Sequence, residues 1–108
     1  MKADDTFAAA VEDLLAPLGP IRRGRFFGGE GWKHGGAQFA MVMKGTLYLR
    51  TDAALAARLR ALGSEPFSYL TRRGPVTVKA YHAVPGDLIE DPEALLELAA
   101  LAIAASRE

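Results

Sequence analysis

Between Ile21 and Arg50 glycine interrupts the chain so often that no helix of useful length fits. Gly28-Gly29, Gly31, Gly35-Gly36 and Gly45 leave only short runs between them. Gly35-Gly36 and Lys44-Gly45 stand where tight hairpins need residues tolerant of positive φ, so the flanking runs are expected to be antiparallel neighbours. The segment reads as a three-stranded meander: Ile21 to Phe27, Ala37 to Met43, and Thr46 to Arg50, with Gly31-Trp32-Lys33-His34 between the glycine pairs. In Ala37 to Met43, Phe39, Met41 and Met43 alternate with Ala40 and Val42, so both faces are apolar and the strand is expected at the sheet centre. In Thr46 to Arg50, Leu47 and Leu49 oppose Thr46, Tyr48 and Arg50, which makes one sheet face more polar.

Helical patterns flank and divide this region. Phe7, Val11, Leu14, Leu15 and Leu18 form an amphipathic stripe capped by Asp4, Asp5 or Thr6 and stopped by Pro17, Gly19 and Pro20. Asp52 is placed to cap a short helix through Leu62, with Leu55, Leu59 and Leu62 on its apolar side and Gly63 as terminator. A second hairpin follows, Phe67 to Thr71 and Val76 to Ala83, joined at Arg72-Arg73-Gly74-Pro75. In its second strand Val76, Val78, Ala80 and His82 alternate with Thr77, Lys79 and Tyr81. Asp91-Pro92-Glu93 opens a last helix to about Ala105. The expectation is an α+β domain with a five-stranded antiparallel sheet, helices on one face and the order α-β-β-β-α-β-β-α. At 108 residues, half of them apolar and 24% charged, one globular domain spanning 1–108 is expected.

The same residues remove several functions. With no cysteine and only His34 and His82, thiolate metal sites, iron–sulfur clusters and a cysteine nucleophile are excluded, and no metal or cofactor is expected. No apolar run approaches a membrane span, and Met1-Lys2-Ala3-Asp4-Asp5 lacks the basic-then-apolar pattern of a signal peptide, so a cytoplasmic protein is expected. Gly28-Gly29-Glu30-Gly31 opens no helix and has no following Lys-Ser or Lys-Thr, so it reads as a bulge or sharp bend, not a phosphate cradle. His82 fits a partly buried residue with one hydrogen bond, and His34 a loop residue. Neither has an evident orienting carboxylate, and no enzyme is expected.

Charge is uneven along the chain. Residues 20–79 hold eleven Lys and Arg against Glu30, Asp52 and Glu65, whereas residues 1–19 and 80–108 are acidic. The simplest reading is that acidic helices neutralise a basic sheet where they touch. A second reading joins Arg22, Arg50, Arg72, Arg73 and Lys79 with Tyr48 and Tyr81, cations interleaved with aromatics on or beside the sheet. Such a set suits a protein partner, a second copy of the chain, or weak non-specific nucleic-acid contact.

The string Leu14-Leu15-Ala16-Pro17-Leu18-Gly19-Pro20-Ile21, then Arg25-Phe26-Phe27-Gly28-Gly29-Glu30-Gly31, resembles the N-terminal domain of the TfoX/Sxy family of bacterial competence regulators. Further matches run in order through Phe39-Ala40, Gly45, Leu47-Tyr48-Leu49-Arg50, Gly63-Ser64-Glu65-Pro66-Phe67-Ser68-Tyr69, Tyr81, Pro85 and Glu90-Asp91-Pro92. Phe26, His82 and Leu98 depart from the family's usual methionine, second aromatic and tryptophan. Read from the residues themselves, Arg25 to Gly31 is expected to be structural, with Arg25, Phe27, Gly28, Gly29 and Gly31 as its motif and Gly28 or Gly29 in a conformation closed to other residues. The resemblance implies a topology similar to type III secretion chaperones, frequent homodimers and no catalytic residues. In the larger relatives it implies co-activation of DNA-uptake genes beside a cyclic-AMP-responsive activator. Those relatives carry a second, helical domain, so a standalone domain is expected to bind a protein partner for a purpose of its own.

Overall fold

Two of the three predicted caps form, and they set where two of the helices begin. In the computed structural model, which describes residues 3–26 and 29–107, the Asp52 carboxylate accepts the Leu55 N–H at 2.8 Å and opens α2 (Ala53–Ala61). Asp91 accepts the Ala94 N–H at 3.3 Å and opens α4 (Pro92–Ser106), with Pro92 in its first turn. The first helix, α1 (Ala3–Leu15), begins earlier than its stripe predicts, so Asp4, Asp5 and Thr6 lie inside it. A 3-10 turn (Ala16–Leu18) follows it, closed by Gly19 at φ 101°. One short helix, α3 (Gly86–Ile89), is not signalled by any apolar period because it is a single turn.

The sheet has six antiparallel strands, not five. They are β1 (Arg22–Phe26), β2 (Gly29–His34), β3 (Ala37–Met43), β4 (Thr46–Arg50), β5 (Pro66–Thr71) and β6 (Gly74–Ala83), in the spatial order β1-β2-β3-β4-β6-β5. The additional strand is β2. Its glycines do not break the ladder, because Gly24 faces Gly31 and Phe26 faces Gly29 across it. The bulge or bend expected at Gly28-Gly29-Glu30-Gly31 is not seen at Gly29–Gly31, which belong to β2, and Phe27 and Gly28 lie outside the described residues. Gly35, Gly36 and Gly45 take the positive φ values expected of hairpin turns.

Two irregularities redistribute side chains between the faces. Trp32 pairs with Ala40 but Lys33 pairs with Gln38, so Phe39 is an extra residue on β3. This bulge turns Phe39 to the face of Ala40 and Val42, where strict alternation predicts the face of Met41. On β6, the partner shifts from Pro66↔His82 to Phe67↔Val78. Tyr81 consequently shares a cluster with Val78 and Ala80, and His82 turns the other way.

The main core lies between the helices and one sheet face. Ala8, Val11 and Leu15 of α1, Leu55 and Leu59 of α2, and Leu95, Leu98, Ala99 and Ala102 of α4 pack with Trp32, Phe39, Ala40, Val42, Leu47 and Leu49. Burial of this many apolar side chains is the dominant favourable contribution to folding. The expected contact of acidic helices with the basic sheet is made where Glu12 of α1 meets Arg23 of β1 at 3.2 Å; the pair Glu97 of α4 and Arg58 of α2, at 2.9 Å, joins two helices instead.

Candidate functional site: the concave face

The opposite face is not left flat. Met41, Phe67 and Tyr81 form a second buried cluster there, with Phe26, Met43, Tyr48, Val78 and Ala80 packed around it. The Phe26 ring centroid is 5.9 Å from that of Tyr81, although β2, β3 and β4 stand between their strands. In a flat sheet four strand spacings would separate them by about 19 Å. The sheet therefore curls, and the β1 end folds over the face.

Glycine makes this possible. A Cβ at Gly29 would strike the Val42 carbonyl oxygen, and one at Gly31 would lie 2.8 Å from Gln38 Nε2. Any larger residue there would hold the hairpin away from β3. Of the motif residues, Arg25 is exposed opposite Glu30, whose carboxylate instead meets Arg23 Nε at 3.5 Å.

The predicted surface residues separate into four places. Tyr48, Arg50 and Tyr81 come together: Arg50 lies 5.9 Å from the Tyr81 ring centroid, and Tyr48 meets Phe67 edge-on at 5.0 Å. Tyr81 is only 5% exposed, and burial raises its hydroxyl pKa above 10.0, with Arg50 and Gln38 pulling in the opposite direction. Its ring is thus occupied within the protein. Arg72 and Arg73 project from the β5–β6 turn, where the Thr71 hydroxyl donates to the Gly74 carbonyl at 2.7 Å. Arg22 is at the other end of the sheet opposite Lys33, beside a shallow cavity. Lys79 lines a different cavity with Thr51, Asp52, Arg60 and His82, on the α2 side.

His82 is 2% exposed, and the Thr51 hydroxyl lies 3.2 Å from its Nδ1 and 3.4 Å from the Lys79 carbonyl oxygen. Burial lowers its pKa below 6.5, and the nearby positive charge of Arg60 lowers it further. At neutral pH it is an uncharged structural link between β6 and the start of α2. His34 accepts from Arg107 Nη2 at 2.9 Å, joining the β2 end to the α4 terminus. Among the described residues, no group of three His, Asp or Glu side chains is placed to hold a metal ion, and no helix is long and apolar enough to cross a membrane.

One feature of this face has no counterpart among the sequence expectations. Met43, Lys44, Thr46, Tyr48, Phe67, Ser68, Tyr69 and Leu70 line an open groove of about 360 Å³. The alternation of Phe67 and Tyr69 with Ser68 was the available signal, but β5 had to be placed beside β6, and β6 beside β4, before these residues could meet Tyr48. The groove is mixed: Met43, Tyr48, Phe67, Tyr69 and Leu70 stand beside Thr46, Ser68 and one lysine, a lining that suits side chains of another protein better than a charged metabolite.

No curated protein matches the chain. The family model described as the TfoX N-terminal domain matches residues 13–106, which takes in every described strand, α2, α3 and all of α4. With nearly the whole chain matched, the protein belongs to the TfoX N-terminal domain family.

Proposed function

We propose that this domain is a cytoplasmic, non-enzymatic regulatory module that acts by binding another protein, as the resemblance to the TfoX/Sxy competence regulators implies. The observation that carries the reading is the groove on the concave face, lined by Met43, Tyr48, Phe67, Tyr69 and Leu70 and, among the described residues, by no residue of a helix. Aromatic and methionine side chains of this kind are enriched where protein interfaces form. The resemblance to type III secretion chaperones in topology is compatible with such a role. The regulated process is proposed to be transcriptional.

Direct nucleic-acid contact is the second reading, favoured by the exposed Arg72-Arg73 turn and the Arg22–Lys33 pair. It lacks a free aromatic platform at Tyr81, whose ring packs against Phe26 with Arg50 beside it. Contact through phosphates alone would be weak, and the logarithm of affinity would fall by about 0.9 per neutralised phosphate for each tenfold rise in salt on duplex DNA.

The test is tagged purification from the native cell at low and moderate salt, with and without nuclease. Protein partners lost on Tyr48→Ala but kept on Leu101→Ala support the protein-binding reading. Partners unaffected by Tyr48→Ala overturn the groove as their site. Nuclease-sensitive, salt-sensitive recovery would favour the second reading.

A further inference from the structure

The two edges of the sheet are built differently. β1 at one edge, Arg22–Phe26, carries three arginines in five residues, the usual protection of an edge against strand pairing. β5 at the other edge, Pro66–Thr71, carries no charge, and its Leu70 is 82% exposed. Among the described residues β5 has β6 on one side and no strand on the other. An uncharged outer strand with an exposed leucine is a template for another strand.

The backbone shows which groups that template offers. Leu70 pairs with Pro75, which has no N–H, so this cannot be a doubly hydrogen-bonded pair of the antiparallel ladder. The N–H and C=O of Leu70 therefore point away from β6, and by alternation so do those of Ser68. Opposite charges flank the strand: Glu65 precedes it and Arg72-Arg73 follow it, all three exposed. None of the three is in an ion pair among the described residues.

We infer that β5 is a self-pairing edge, whose partner is β5 of a second copy of this chain, antiparallel across a two-fold axis perpendicular to the sheet. Such an axis keeps each side chain on its own face, so a residue can oppose only one of the same parity. Centring the axis on Ser68 would place Pro66 opposite Leu70 and lose a donor. Centring it on Tyr69 pairs Ser68 with the partner's Leu70 and Leu70 with the partner's Ser68. Both pairs can then exchange two hydrogen bonds. The same register sets Glu65 opposite the partner's Arg73 at each end, matching the flanking charges. A parallel approach would set like charges together. Ser68, Tyr69 and Leu70 of this edge also line the groove, so a second copy on β5 would sit beside the groove's other wall, but the inference rests on the edge alone and stands if no other protein is found in the groove.

The chain has no cysteine, which permits a direct test. On the axis, Tyr69 faces its own symmetry mate as a non-hydrogen-bonded pair, with Cα atoms about 4.5 Å apart, inside the range of about 4.4–6.8 Å that a disulfide spans. Under mild oxidation Tyr69→Cys should form a covalent dimer many times faster than Leu101→Cys on α4. The unmodified protein should show a dimer fraction that rises with concentration in sedimentation. Ser68→Pro removes an outward N–H and no bond to β6, so it should leave the circular dichroism and melting temperature nearly unchanged while making the protein monomeric. Glu65→Arg should weaken the dimer and Glu65→Arg with Arg73→Glu should restore it. A monomer at every concentration would overturn the inference, even if other proteins bind the edge. So would a dimer that survives Ser68→Pro with no preferential Tyr69→Cys cross-link, since that dimer would use another surface.

Discussion

The Phe26 and Tyr81 rings lie 5.9 Å apart, tilted by 45°, and join the first strand of the sheet to a strand four positions away. Their contact holds the curl that turns a one-sided sheet into a concave one. It also explains how a domain with its helices on a single side buries Met41, Phe67 and Tyr81 on the other. The aromatic face thus obtains much of its cover from the chain itself.

A double-mutant cycle measures this link. Tyr81→Ala and Phe26→Ala should each lower the urea midpoint, and their effects should be non-additive by about 0.5–1.5 kcal/mol, the usual coupling of an aromatic pair. Strict additivity would mean that the curl is held by other contacts.

Gly29 and Gly31 should respond differently to a methyl group. At Gly29 the new Cβ meets the Val42 backbone carbonyl, which cannot move without disturbing β3, whereas at Gly31 it meets the end of the Gln38 side chain, which can rotate. Gly29→Ala is expected to cost about 1–3 kcal/mol, in the range of overpacked cores, and Gly31→Ala distinctly less. Thermal melts of the two variants decide the order; a larger loss at Gly31 would contradict the steric account.

Stability should depend on pH through His82. Its folded pKa is depressed below 6.5, first by burial and then by Arg60, so the unfolded chain binds more protons as pH falls through this range. The contribution is fully present above pH 6.5 and is lost as pH drops from there toward the folded pKa. Urea midpoints of the unmodified protein and His82→Gln, compared between pH 7.5 and 5.5, should converge on acidification. Parallel pH profiles would remove His82 as the cause.

Local rules act over a few residues, and that is the range in which the sequence was sufficient. Asp52 and Asp91 cap helices because their carboxylates need only reach an N–H three residues on, at Leu55 and Ala94. Gly35-Gly36 and Lys44-Gly45 make hairpins because their own φ angles permit it. Leu47 and Leu49 face the helices because a strand alternates, and the string of short motifs from Leu14 to Pro92 carries the family. The tertiary structure decided what depends on a neighbouring strand. Phe39 changes face because β2 leaves it unmatched, and Tyr81 joins Val78 and Ala80 because β5 and β4 pair with β6 in registers that do not run on continuously. The same non-local pairing separates Lys79 from Tyr48 and brings Phe26 across the sheet. No periodicity along one strand contains the register of the next, since that is set by which side chains find room in the shared core.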